Sequence, residues 1–330
     1  MKKVLITGGA GFIGSHLAEL FLAEGSKVVA LDDFSTGSVV NIAHLKDNPL
    51  FSLVEGQVQD TDLLDGLVSE CDYIYHLAAA VGVKLIVEQP IKTIKTNIYG
   101  TEAVLEAAAK YNKRLLIAST SEVYGKSENV PFNEDDDVVY GSTKHTRWSY
   151  ACSKAIDEFL ALAFYKQYGL EVLVTRFFNT VGPRQTGQYG MVVPRFVRAA
   201  LRGEPITIYG NGKQSRCFSY VGDVVRAAKA LAESGKAFGQ VYNLGSDEEA
   251  SIETLADKII ALTGSKSEKV FINYDQAYGE NFDDMQRRVP SLEKARLAIG
   301  YKPKYSLEQT LNAIIYFEKQ QLIKWGTVTY

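Results

Sequence analysis

Cysteine is scarce in this 330-residue chain: Cys71, Cys152 and Cys217 are three, far apart and odd in number. That excludes a disulfide framework and any zinc-type spacing. It suits a reducing, cytoplasmic setting with each thiol acting as a small buried hydrophobe. No apolar run is long enough to span a bilayer, and the glycines of MKKVLITGGAGFIG arrive too early for a signal peptide. Neither sign of charge dominates. With 36 Lys and Arg against 39 Asp and Glu, the net charge is −3, so neither nucleic acid nor a charged tail is expected. Repeats and low-complexity segments are also missing. What is left is 46% hydrophobic and 23% charged, an ordinary globular balance with enough chain for two lobes.

Short apolar runs alternate with helical periodicity. Lys3 to Thr7, Val28 to Leu31, Phe51 to Val54, Tyr73 to Leu77, Leu115 to Ala118 and Val172 to Arg176 predict strands. Between them, Phe12 to Glu24, Ile91 to Tyr111 and Tyr150 to Tyr168 predict helices. This order predicts an α/β fold with a Rossmann-type doubly wound parallel sheet. The rhythm changes after Phe177. Asn179 to Gly190 predicts a loop, and Ile206 to Ile208, Gly210-Asn211-Gly212 and Arg216 to Tyr220 predict short strands around a tight turn. Helices are expected over Pro194 to Arg202, Asp223 to Ser234, Ile252 to Leu262 and Ser306 to Lys319, with a strand at Gln240 to Leu244. The expected division is a dinucleotide domain over 1–176, to which 217–245 returns, and a smaller α/β substrate lobe from 177–216 and 246–330.

Gly8-Gly9-Ala10-Gly11-Phe12-Ile13-Gly14 follows the first strand and opens the first helix. Gly8, Gly11 and Gly14 permit a tight turn, close approach of a pyrophosphate and tight helix packing. Asp32 ends the second strand, where a carboxylate binds ribose hydroxyls and repels a 2′-phosphate, so NAD is expected rather than NADP. Tyr150 and Lys154 stand four residues apart, one turn on one helical face. A nearby ammonium favours the phenolate, which would let Tyr150 serve as a base near neutral pH. Thr120-Ser121-Glu122 at a strand exit adds two hydroxyls and a carboxylate. Alone, Tyr150 and Lys154 would be an unremarkable surface pair; the glycine motif and Thr120 give them a shared purpose.

With TGGAGFIGSH, HLAAA at 76–80, TSEVYG, YACSK, RFFNTVGPR at 176–184 and RRVPSLEKARLAIGYKP at 287–303, the chain resembles the extended short-chain dehydrogenase/reductases that modify nucleotide sugars. The resemblance covers nearly the whole chain. It implies oxidation of a sugar C4 alcohol, with Tyr150 taking the proton, Thr120 holding the oxygen and Lys154 on the nicotinamide ribose. It implies NAD contacts from Phe12, Ile13, Gln57, Val58, Leu77, Ala78 and Ala79, Gln57 standing where many relatives carry an acid. Val81, Asn179, Arg184, Val193, Arg216 and Arg287 or Arg288 are the candidates for a UDP-sugar, arginine being suited to a diphosphate. Tyr209 is a candidate flank for the uracil. A homodimer through helices 91–111 and 150–168 is also implied.

Three reactions branch from a 4-keto sugar: 4-epimerisation, 4,6-dehydration and decarboxylation of a uronate. Epimerases of this group usually carry small residues at the place of Glu122. Many hexose dehydratases read Thr-Asp-Glu, and Ser121 is a poor general acid in place of that Asp, although the GDP-mannose dehydratases also read Thr-Ser-Glu. UDP-glucuronate decarboxylases share TSEVYG and resemble QPIKTIKTN at 89–97, GKQSRCFSYVGD at 212–223 and RRVPSLEKA, which favours decarboxylation. The loop Ala79 to Val83 and the insert Val139 to Trp148 depart from them and keep epimerisation open. A non-catalytic NAD-binding regulator on the same fold is the remaining alternative.

Overall fold

The computed structural model describes residues 1–82, 86, 88–187, 191–278 and 285–325. The first part interleaves β1 (Lys3–Thr7), β2 (Lys27–Asp32), β3 (Phe51–Glu55), β4 (Tyr73–His76), β5 (Arg114–Thr120) and β6 (Val172–Phe177) with α1 (Phe12–Ala23), α2 (Thr61–Ser69), α3 (Pro90–Lys110) and α4 (Arg147–Tyr168). Then follow β7 (Thr180–Val181), α5 (Val192–Arg202), β8 (Ile206–Tyr209), β9 (Ser215–Cys217), β10 (Ser219–Tyr220), α6 (Val221–Glu233) and β11 (Val241–Leu244). β12 (Glu249–Ser251), α7 (Ile252–Thr263), β13 (Lys269–Ile272), α8 (Tyr274–Tyr278), β14 (Arg287–Arg288), α9 (Glu293–Ile299) and α10 (Leu307–Trp325) complete the described chain.

Seven strands form one sheet in the order β11-β6-β5-β4-β1-β2-β3, and every neighbouring pair is parallel. This is the doubly wound sheet that the alternation predicts. Val4, Leu5 and Ile6 of β1 are fully buried because helices cover both faces, so the strand is apolar throughout rather than alternating. The strand order reverses between β1 and β4, which opens a crevice at the carboxyl ends of the strands. Thr7, His76 and Thr120 stand at those ends. β11 returns late in the chain to pair with β6, and Val193, Phe196, Ile208, Leu255 and Leu311 build a second core beside the sheet.

Local chemistry sets the helix ends. α3 starts at Pro90, whose missing N–H costs nothing in the first turn. α4 begins at Arg147, three residues before the expected start, and stops at left-handed Gly169. The turn at 210–212 is not a hairpin: β8 pairs in parallel with β13, whereas β9 pairs with β12 and β14. Gly210 and Gly212 both have positive φ and steer the chain from one small sheet to another. β7, β12, β13 and β14 carry too few residues to announce themselves by alternation. Cys71 and Cys217 are buried as expected, but Cys152 is half-buried. Val83 and residues 188–190 of the expected loops lie outside the described residues.

Behind the crevice, buried polar groups lock α4 to the sheet. Arg176 of β6 grips Glu158 of α4 with bonds of 2.7 to 3.2 Å and stacks over the Tyr124 ring. Tyr124 donates to Asn243 of β11 at 2.8 Å, and Asn243 donates to the Phe132 and Ser291 carbonyls. Loss of one partner from such a buried pair costs about 3–5 kcal/mol, since the other charge is stranded. Among the described residues no helix is long and apolar enough to cross a membrane.

Candidate active site

A continuous cleft of about 1280 Å³ runs along the carboxyl ends of the strands, from the glycine loop to α5 and α10. At one end lies the glycine cradle. Gly8 has φ +70°, and a Cβ there would meet the Ala78 nitrogen at 2.8 Å. A Cβ on Gly14 would stand 2.2 Å from the Gly8 carbonyl oxygen. The N-cap of α1, Gly11, has no side chain to occupy the first amides of the helix, which leaves them for an anion in the cleft. Asp32 accepts from Ala10 N at 2.8 Å and Phe34 N at 2.9 Å. Phe12, Ile13, Gln57, Val58, Leu77, Ala78 and Ala79 all line this end.

Mid-cleft, Thr120 ends β5 and Ser121–Tyr124 makes a 3₁₀ turn, capped where Thr120 Oγ1 accepts from Glu122 N at 3.2 Å. Tyr150, projecting from α4, is buried and faces Thr120. Ser121 Oγ is buried without a hydrogen bond. Glu122 accepts from Arg147 and, at 3.4 Å, from Arg288. Burial alone would raise the pKa of Glu122, but the charge of Arg147, followed by Arg288 and Arg216, outweighs it and holds the carboxyl at about 2. Glu122 is therefore a fixed anion, and three guanidiniums around one carboxylate leave this end of the cleft positive.

Several expectations change here. Lys154 has a partner that its spacing from Tyr150 did not announce. Its Nζ turns one turn the other way along α4 and pairs with Asp157 at 2.7 Å. Burial, then Glu122 and Asp157, push the Tyr150 hydroxyl well above its usual range, with Thr120 and Arg147 acting against them. Arg287 points away from the cleft into a bidentate pair with Glu249 at 2.7 and 2.8 Å, and Arg288 faces in. Neighbouring strand residues face opposite ways, so only one of the two can serve. Arg184, in a left-handed conformation, lines the cleft but is clasped by Glu19 at 2.6 Å on both oxygens. The Tyr209 ring is covered by Arg195 at 4.2 Å. Val193 is buried in the second core at the start of α5, Val81 is exposed on the cleft rim, and Asn179 Nδ2 is buried without a partner.

Sequence reasoning missed Arg147, Asp157 and His76. Arg147 lies three residues before Tyr150 and Asp157 three after Lys154, so the helical spacing that links Tyr150 to Lys154 reaches both.

A doubly wound sheet with a glycine cradle at its switch point and a Tyr/Lys helix beside it defines a Rossmann-type short-chain dehydrogenase/reductase. Residues 5–314 match the model of the GDP-mannose 4,6 dehydratase family, and the chain belongs to that family of extended short-chain dehydrogenase/reductases. It is 42% identical over 315 residues to a UDP-N-acetyl-alpha-D-glucosaminuronate decarboxylase of Bacillus cytotoxicus, covering 95% of this chain and 97% of that one. It is 40% identical to UDP-glucuronic acid decarboxylase 1 of Xenopus tropicalis, covering 97% of this chain and 73% of that protein. Among solved structures, a UDP-glucuronic acid 4-epimerase from Bacillus cereus in complex with UDP-glucuronic acid and NAD superposes with a TM-score of 0.87 at 30% identity, covering 97% and 99% of the two chains.

The depressed pKa of Glu122 predicts a pH signature. A carboxyl moved from 4.5 to about 2 stabilises the fold fully above pH 4.5, and that stability is lost as pH falls towards 2. In urea unfolding across this window, Glu122→Gln should flatten the loss of stability on acidification. Equal slopes for the two proteins would contradict the ion cluster.

Proposed function

We propose that the protein is an NAD-dependent decarboxylase of a UDP-linked hexuronate that works through a 4-keto sugar. The observation that carries this reading is the pairing of Arg147 and Arg288 with Glu122 beside Tyr150, a cationic setting where a C6 carboxylate would lie. Relatives at 40% and 42% identity named as uronate decarboxylases support it. The glycine cradle, which a Cβ would fill, fits a dinucleotide pyrophosphate, and Asp32 suits an unphosphorylated ribose.

Gly8, Gly11, Gly14 and Asp32 would hold NAD, which supplies the oxidant for the C4 alcohol and returns the hydride afterwards. The protein's own part is proton transfer and electrostatics. Tyr150 Oη accepts the C4 hydroxyl proton, and Thr120 fixes the same oxygen. With a ketone at C4, the C6 carboxylate belongs to a β-keto acid. When the C5–C6 bond breaks, carbon dioxide leaves and the electron pair moves to the C4 oxygen, where protonated Tyr150 and Thr120 stabilise the enolate; a proton from water then adds at C5 and restores the C4 ketone. Arg147 and Arg288 orient the carboxylate, while Arg216, anchored on the Ser215 and Gln286 carbonyls, serves the diphosphate.

Dehydration fits less well, because it needs an acid at the leaving hydroxyl; Glu122 is held ionised and Ser121 is a weak acid. 4-Epimerisation of the same uronate is the second reading, favoured by the likeness to the B. cereus epimerase. The three free thiols suit a reducing compartment such as the cytosol.

We further propose a homodimer through α3 and α4. Both helices turn large apolar side chains outwards, with Ile91 71%, Tyr99 53% and Phe159 69% exposed.

Incubation with UDP-glucuronate, its 2-acetamido analogue and UDP-glucose, with products read by mass and NMR, tests the reaction. Loss of carbon dioxide from a uronate is expected, and Tyr150→Phe should slow it by about 100-fold or more. Unchanged mass with inverted C4 would establish the epimerase reading instead. Light scattering should give a dimer that Phe159→Glu splits; a monomeric native protein would refute the interface.

A further inference from the structure

Beneath Tyr150 lies a buried polar row that the proposed chemistry leaves unused. Lys154 Nζ donates to Asp157 Oδ2 at 2.7 Å, and both side chains are buried. Asp157 Oδ1 is buried and makes no hydrogen bond, while the Thr101 hydroxyl of α3 faces the carboxyl. Thr101 Oγ1 lies 3.2 Å from His76 Nε2, and His76 Nδ1 lies 2.8 Å from Thr7 Oγ1. Thr7 Oγ1 in turn accepts from Ala78 N at 3.3 Å.

The directions in this row follow from what each group can do. Ala78 N–H only donates, so Thr7 is free to give its own proton to His76 Nδ1. Burial first, then the charge of Lys154, holds His76 neutral with a pKa of about 3. Its single proton therefore sits on Nε2 and goes to Thr101. The Thr101 proton is left to point at the Asp157 carboxylate. The row runs one way, from the glycine loop to a buried anion whose ion-pair partner is Lys154.

We propose that Asp157 is a positioning residue that holds the Lys154 ammonium to itself, leaving Tyr150 protonated until the hydroxyls of a bound ribose draw Lys154 forward. This rests on the reading of Tyr150 as the proton acceptor. Charged groups of several elements face the trio. Tyr150 meets Glu122, Arg147 and Asp157, and Lys154 meets Asp157 and, from β4, neutral His76. Asp157 also meets Glu158, which is neutralised by Arg176. Asp157 raises the pKa of Tyr150, so its removal shifts the base towards lower pH.

NAD binding to nucleotide-free protein, followed by calorimetry without any sugar, tests this. Asp157→Asn frees Lys154 and should tighten NAD binding by about fivefold. It should also move the acidic limb of the turnover–pH profile down by about one unit. Thr101→Val removes the hydroxyl dipole that faces Asp157, leaves the carboxylate more dependent on Lys154 and should weaken NAD binding, the opposite sign, so this variant carries the test if Asp157→Asn fails to fold. In a Lys154→Ala background both effects should vanish. Two variants that move the same way, or an Asp157→Asn protein with unchanged affinity and pH limb, would overturn the proposal while leaving the NAD reading intact. NAD binding to none of the proteins would overturn the functional reading, and this proposal with it.

Discussion

A charge taken out of water must be paired, and α4 carries three such pairs on one stripe. Arg147 meets Glu122, Lys154 meets Asp157, and Glu158 meets Arg176. The positions 147, 150, 154 and 158 follow the helical period, so one face of one helix holds both the reactive tyrosine and the ions that surround it. Each pair ties α4 to a different neighbour: to the turn after β5, to its own next turn, and to β6. The placement of Tyr150 follows from that fixing. Its opposite face carries Ile156 and Phe159, both exposed.

The same pairing rule explains what the sequence could not disclose. Tyr150 and Lys154 stood out from their spacing only together with the glycine motif and Thr120, and the glycine cradle from strand, glycines and helix in order. That Lys154 turns to Asp157 was not legible, because a lysine with two candidate partners one turn away on either side has no preference that spacing can express. Arg287 and Arg288 could not be told apart, since a two-residue strand gives no alternation to fix which side faces inwards. That Glu19 clasps Arg184 was not legible, because the two are 165 residues apart in the chain. The main sheet was readable because its strands are apolar runs that alternate in the chain with stretches of helical periodicity. The small sheets were not, because their strands are two to four residues long and their pairing is non-local.

The cleft combines two demands on charge. At the glycine end, backbone amides at a helix start suit an anion without any side-chain charge. Mid-cleft, Arg147 and Arg288 bond the Glu122 carboxylate and hold it ionised. Glu122 then orders the arginines instead of carrying a proton. In the proposed reaction, arginines beside Tyr150 would favour a carboxylate at C6 over a neutral hydroxymethyl, through charge-assisted bonds that the hydroxymethyl cannot make.

Affinity in the absence of turnover tests that discrimination most directly. With Tyr150→Phe protein and NAD present, UDP-glucuronate is predicted to bind about tenfold or more tightly than UDP-glucose, the difference expected for a charge-assisted bond against none. Equal affinity for the two sugars would contradict an arginine pocket built for a carboxylate.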